Sequence, residues 1–372
     1  MPSRPLTRVQ FIDQCESLLQ DGSNATYSAA ELGLILDDVL IEVSEAVPYV
    51  MKDVYTLETR TGTATSTSAN NLVDATEAQF ASADVGKVVY NTDDHTWAVI
   101  TSYSSTSQVG LSKDIFTIGE NYEIYNKGCW SKKQINIGDS NDLVRSIGNN
   151  GILGVSYPSD RADYTLEMLR NVDIRDRNVI LELDVAWVDD TSETDAHKDV
   201  FVWVARQHKL NAMTDLGGEL TAAPAVGATS IAVDGLQNSG TVYKDTLLYF
   251  TTINLITANS RLIYRVTADA STSATGTATL SIWPPLENAL SDNDDITFIG
   301  NTLPADIERI AIQIVVGEAL MSKSIKNIDN IVTGEAVSQK QFTTGERIAE
   351  KARTRLHRKV DPNLRAEKVY GR

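Results

Sequence analysis

Two cysteines, Cys15 and Cys129, are all that this 372-residue chain contains. They are too few for a disulfide framework or a four-thiolate zinc site, so both are expected to be plain buried thiols. Long hydrophobic runs are missing as well. No segment approaches the roughly 18 apolar residues of a membrane span, and Met1 to Arg8 leads straight into an amphipathic pattern instead of a signal peptide. The expectation is a soluble protein made in a cytoplasm, with no membrane partner. Aromatic residues make up only 7% and do not interleave with basic ones, which argues against a stacking platform for single-stranded nucleic acid.

The usual signatures of chemistry are equally scarce. The four histidines, His95, His197, His208 and His357, include no H-x-x-x-H or H-x-x-E-H pair that would put two ligands on one helical face, so no metal is expected. No G-x-S-x-G elbow, P-loop, G-x-G-x-x-G turn or C-x-x-C pair occurs. Asp292, Asp294 and Asp295 lack the glycine and terminal glutamate of a calcium loop and read as a solvated turn. Asp37-Asp38 and Asp189-Asp190 are carboxylate pairs in an acidic chain, too common there to single out acid–base chemistry. No cofactor and no enzymatic activity are expected.

What the chain does have is acid, unevenly spread. Its 50 Asp and Glu outnumber 33 Lys and Arg for a net charge of −17. From Gln341 to Arg372, nine basic residues face four acids, a net of +5 that leaves −22 on residues 1–340. An acidic body repels nucleic acid at long range, while a basic end is either a grip on an acidic surface or simply a solvated helix face.

Periodicity divides the chain. Phe11, Ile12, Cys15, Leu18 and Leu19 share a helical face, with Gly22 placed as a left-handed cap. Ser28 and Glu31 form an S-x-x-E capping box with Tyr27 and Leu32 as its hydrophobic staple, and Leu32, Ile35, Leu36, Val39, Val43 and Ala46 run down one side until Pro48. Beyond Tyr55 the period falls to two. Strands are expected over 87–90, 97–103, 108–111 and 122–125, then over 181–187, 201–206, 230–233, 247–251, 262–267, 277–283 and 296–299, with a brief helix near 142–147. A helix after Pro304 carries Ile307, Ile310, Ala311, Ile314, Val315 and Met321, and a last, mostly basic helix over 343–359 has only Ile348, Ala352 and Leu356 to bury.

These readings assemble into an α+β fold: an α-helical body with antiparallel strands and two inserted small all-β domains. The expected parts are a helical hairpin (1–54), a first β-insert (55–127), central strands with a short helix (128–213), a second β-insert (214–300), C-terminal helices (301–359) and an extended arm (360–372). Amphipathic helices at both chain ends need a common partner, and closing a chain around an insertion costs little because the penalty grows only logarithmically with length.

In three places the chain resembles the head-tail connector adaptor family of tailed bacteriophages. One is the hairpin with Tyr27-Ser28-Ala29-Ala30-Glu31-Leu32 followed by Leu36-Asp37-Asp38-Val39-Leu40. A second runs from Asn178-Val179-Ile180-Leu181-Glu182-Leu183 through Val200 to Leu210 and on to Leu303-Pro304-Ala305-Asp306-Ile307-Glu308. The third is the pair of β-segments, 86–125 and 227–286, which resemble modules of phage structural proteins. Family adaptors are shorter, and the two insertions are additions to their plan.

The resemblance implies a structural virion protein: a homo-oligomeric ring, commonly of twelve subunits, beneath the portal protein and above tail or neck proteins. DNA passes through its lumen without specific binding, and the protein resides in the virion neck after assembly in the host cytoplasm. A C-terminal extension would dock on the portal, with Arg353, Arg355, Arg358, Lys359, Leu364, Arg365, Lys368, Val369 and Tyr370 as the contacting residues. Two other readings are a tail-fibre or baseplate protein binding a host receptor through its β-modules, and, more remotely, a carbohydrate-processing enzyme on a β-scaffold, which lacks its catalytic constellation.

Overall fold

The computed structural model describes residues 5–22, 26–157, 169–184, 199–251, 262–328 and 335–360. Both N-terminal helices begin with a reciprocal cap. In α1 (Arg8–Leu19) the Thr7 hydroxyl accepts the Gln10 N–H while the Gln10 side chain accepts the Thr7 N–H. In α2 (Ala29–Ala46) Ser28 and Glu31 do the same. Each box satisfies two of the backbone donors that a helix start leaves over. The left-handed residue closing α1 is Gln20 (φ 58°), not Gly22, and its N–H returns to the carbonyls of Glu16 and Ser17. Leu18, expected on the apolar face, is exposed, while Glu16 is buried.

The described chain falls into two compact units. One spans Val50–Arg206. It opens with β1 (Tyr49–Thr56), then a six-stranded antiparallel sheet of β2 (Thr61–Thr63), β3 (Asn71–Val73), β4 (Val88–Asn91), β5 (Thr96–Ser105), β6 (Gln108–Leu111) and β7 (Asn121–Tyr125) in the order β2-β7-β4-β5-β6-β3. The Thr65 N–H donates to the Val73 carbonyl (2.7 Å) and Ser66 bridges Val73, so the two outer edges meet. The period of two then sorts the side chains. Val89, Ala98, Ile100, Val109, Tyr122 and Ile124 fill the interior, while Val88, Tyr90 and Tyr125 pack outside against Cys129 and Ile180.

An ionic knot ties the entering chain to this module. Arg60 reaches Asp84 (2.6 Å) and Glu58 (2.8 Å), and Lys87 reaches the same two carboxylates. The unit continues with β8 (Gln134–Asp139), β9 (Ile152–Ser156), β10 (Leu169–Arg175), β11 (Asn178–Leu183) and β12 (Asp199–Arg206), arranged as two three-stranded sheets, β10-β11-β8 and β1-β12-β9. The short helix expected near 142–147 is absent. Leu143 bridges to Arg206, the Val144 N–H donates to the Ala205 carbonyl and Asp142 pairs with Arg206, so short turns, with Arg145 donating to Leu143 and Ile147 to Val144, hang on β12 in place of a helix. Residues 185–187 of the expected 181–187 strand lie outside the described residues.

The other unit combines Met1–Tyr49 with Gln207–Asp361. Its β-part contains β13 (Gly217–Leu220), β14 (Ser230–Asp234), β15 (Thr241–Val242), β16 (Leu247–Phe250), β17 (Tyr264–Val266), β18 (Ala270–Ser271), β19 (Ala278–Trp283) and β20 (Asp295–Phe298). Six of these close an antiparallel barrel, β13-β14-β19-β17-β16-β20, and β15 pairs with β18 beside it. Leu220, Ile231, Leu248, Phe250, Tyr264 and Phe298 are among its filling. Two long helices follow, α3 (Ala305–Ile328) and α4 (Glu335–His357).

The terminal helices do share a core. Phe11 and Cys15 of α1, Leu32, Leu36 and Val43 of α2, Ile307, Ile310 and Ile314 of α3, and Ala352 and Leu356 of α4 form one buried cluster. The expected fold class nevertheless has to be corrected. The chain is mainly β, with 34% strand against 24% helix, and among the described residues its sheets, including a closed six-stranded barrel, outweigh four α-helices rather than decorating an α-helical body. The reason is the brevity of the strands: many of two to six residues, scattered between turns, carry little periodicity one at a time, whereas four helices announce themselves.

Candidate assembly surface

The residues expected to dock a partner begin on α4, where several of them have partners within the bundle. The helix starts at Glu335, eight residues before the expected Thr343. It is held firmly although it has few large apolar side chains, because it buries small ones: Ala349 and Ala352 are fully buried along with Leu356, and Gly345 lies against Gly317 of α3. Small residues let two helix backbones approach closely, so dispersion contacts replace bulky side chains.

Arg353 is a clasp within this bundle. Its Nε lies 2.7 Å from Glu42 Oε1, and its Nη2 lies 2.9 Å from Glu42 Oε2 and 2.7 Å from Glu318 Oε1. One guanidinium thus joins α2, α3 and α4, and the hydrogen bonds it donates to Glu42 raise its pKa further above the ordinary arginine value. Arg355 donates to Gln313 (3.1 Å), and Lys359 pairs with Asp306 (2.7 Å), whose carboxyl its hydrogen bond holds below the usual range. Arg358 is exposed and makes no ion pair with another described residue. Leu364, Arg365, Lys368, Val369 and Tyr370 lie outside the described residues.

The remaining surface of the bundle is strongly patterned. On α2, Ala30, Leu34, Asp38, Ile41 and Glu45 form one outward line, with Leu34 69% and Ile41 44% exposed. On α4, Lys340, Thr343, Arg347, Lys351 and Thr354 form another, opposite the buried Gly345, Ala349, Ala352 and Leu356. Arg8 takes Asp37 in a bidentate pair (2.5 and 2.9 Å), whereas Asp38 and Glu45 form no ion pair with another described residue. The spacing of these lines was readable, but only the packing of the bundle shows which lines face outward.

The groups from which chemistry could have come are dispersed. Burial pushes both the Cys15 and the Cys129 thiols up to about 12, which keeps them protonated and inert at neutral pH. His208 is buried, with Nε2 2.9 Å from the Val47 carbonyl and Nδ1 3.0 Å from the Thr302 hydroxyl; burial pushes its pKa down to about 4. His95 sits beside Tyr90, His357 is exposed, and His197 lies outside the described residues. A groove of about 840 Å³ runs beside the barrel, lined by Asp215, Glu219, Asp234 and Asp295 with backbone from Gly217. Among the described residues, no group of three or more His, Cys, Asp or Glu is placed to hold a metal ion, and no helix is long and apolar enough to cross a membrane.

Compared with models of known protein families, with curated proteins and with solved structures, the chain matches none.

Proposed function

We propose that this chain is a structural protein of the head-to-tail connector of a tailed phage, an adaptor that forms a homo-oligomeric ring beneath the portal and lets DNA pass through its lumen. The observation that carries the reading is the single core built by α1, α2, α3 and α4 from the two ends of the chain, in the segments where the sequence resembles the adaptor family. The net charge of −17 supports it: a ring of acidic subunits lines a passage to which DNA does not adhere. Docking on the portal falls to Arg358 and the residues beyond Val360, since Arg353, Arg355 and Lys359 are engaged within the bundle. The ring has about twelve subunits in this reading, and its place is the virion neck.

Electron microscopy of the purified chain tests the proposal. Closed rings with a central hole, which bind purified portal protein and lose that binding on truncation after Asp361, are the expected result. A trimer, or a monomer indifferent to portal, would reject it.

One observation favours the receptor-binding alternative. Trp97 and Trp130 form an edge-to-face pair (centroids 4.5 Å apart) that is about two-fifths exposed, with Lys113 Nζ 4.3 Å from the centre of the Trp97 ring. Exposed aromatic pairs are common contact points. Under that reading Trp130→Ala abolishes attachment to host cells, while under the connector reading it leaves attachment unchanged.

A further inference from the structure

The two outward lines on the helical bundle carry opposite charge, so each repels a copy of itself and attracts the other. The α2 line combines apolar and acidic residues over about 22 Å at 1.5 Å per residue: Ala30, Leu34, Asp38, Ile41, Glu45. The α4 line holds Lys340, Arg347 and Lys351 with Thr343 and Thr354 on the same face, over about 21 Å. Both lines recur at the three- and four-residue spacings of one helical face, so each is a straight ridge of the kind that fits along another helix.

We propose that these ridges are the two halves of one subunit contact: the α2 line of one copy packs against the α4 line of the next. The proposal rests on the ring reading and names the surface that closes the ring. The occupant follows from charge and shape together. Leu34 and Ile41 are large apolar side chains left open on α2, framed by Asp38 and Glu45. The aliphatic stems of Arg347 and Lys351 can cover them while the cationic ends reach the two carboxylates. The chain itself supplies that complementary partner, and it supplies it at equal concentration. One face is acidic and the other basic, and a head-to-tail contact of such unlike surfaces generates a ring when its rotation closes. An exposed contact of this composition is screened as ionic strength rises.

A charge-reversal pair tests it. One variant carries Asp38→Lys with Glu45→Lys, the other Arg347→Glu with Lys351→Glu. Masses are read by light scattering at low ionic strength and the highest soluble concentration, and folding by circular dichroism. The wild type assembles and dissociates as salt is raised. Each variant alone is monomeric, since it presents two like-charged faces. Their equimolar mixture regains the wild-type mass, because in alternating order every junction again joins opposite charges. Should either charge-reversed chain fail to fold, Leu34→Gln with Ile41→Gln supplies the same readout, assembly lost with the fold intact. A variant that assembles alone as the wild type does, or folded variants that stay monomeric when mixed, would overturn this contact and leave the ring reading standing. A wild type that is monomeric throughout overturns both.

Discussion

Gly317 and Gly345 meet where α3 and α4 cross. A Cβ placed on Gly317 would lie 2.8 Å from the Gly345 carbonyl oxygen, and one placed on Gly345 would lie 2.6 Å from the Gly317 carbonyl oxygen. Neither residue has a positive φ, so the glycines are required by the closeness of the two backbones and not by their own conformation. Gly345→Ala therefore forces the helices apart and loosens Ala349 and Leu356 with them. Overpacking of this kind costs about 1–3 kcal/mol. Urea unfolding should show a lower midpoint with an unchanged slope, and a midpoint equal to wild type would show that the crossing relaxes freely.

The Arg353 clasp is about one-third exposed at each of its three members. Pairs so accessible to water are worth up to about 1 kcal/mol each. Arg353→Met should therefore destabilise by about 1–2 kcal/mol, and a double-mutant cycle with Glu42→Gln should return a coupling energy of about 0.5 kcal/mol or more. A coupling of zero would mean that Arg353 acts through packing alone.

Arg60 has a harsher task. Asp84 and Glu58 are almost fully buried, and although burial opposes ionisation, hydrogen bonds from Arg60, the Ala81 N–H and Lys87 hold Asp84 down at about 2. Removing the guanidinium leaves two buried carboxylates with Lys87 alone. Arg60→Met is expected to cost about 3–5 kcal/mol, the usual penalty for breaking a buried ion pair. The loss should appear as faster amide hydrogen exchange in β4, β5 and β7, with the helical bundle unaffected. Asp84 also sets an acid limit: its contribution is complete above the ordinary carboxyl value of 3.8 and is lost as pH falls toward about 2.

His208 titrates in the opposite sense. Its folded-state pKa of about 4 lies below the ordinary 6.5, so between these values the unfolded chain binds the extra proton and stability rises with pH. The shift corresponds to about 3 kcal/mol, gained from pH 4 to 6.5 and level above. With the Val47 carbonyl only able to accept, Nε2 carries the proton and Nδ1 takes the Thr302 hydroxyl. The slope of unfolding free energy against pH in this window should flatten in His208→Gln. An unchanged slope would assign the effect to other groups.

The sequence by itself determined the local events: where helices start and which short segments extend. The Ser28–Glu31 box, the arrest of α2 before Pro48 and the alternation through 108–111 and 122–125 are decided within a few residues, and they were legible for that reason. The equivalent box of Thr7 and Gln10 carries the same signal in its T-x-x-Q spacing. Tertiary structure decided what depends on distant partners. Residues 142–147 have a helical pattern but form short turns anchored to β12, where Val144 donates to the Ala205 carbonyl some sixty residues away and Asp142 pairs with Arg206, since one isolated helical turn is unfavourable by itself. The weight of sheet over helix emerged only when short strands, weak one by one, closed into a barrel and its companions. Arg353 reads in the sequence as one more cation in a basic run, yet Glu42, 311 positions away, makes it a clasp. Which charges remain free for a partner is likewise a property of the packed bundle, since a side chain's availability depends on every neighbour that folding brings to it.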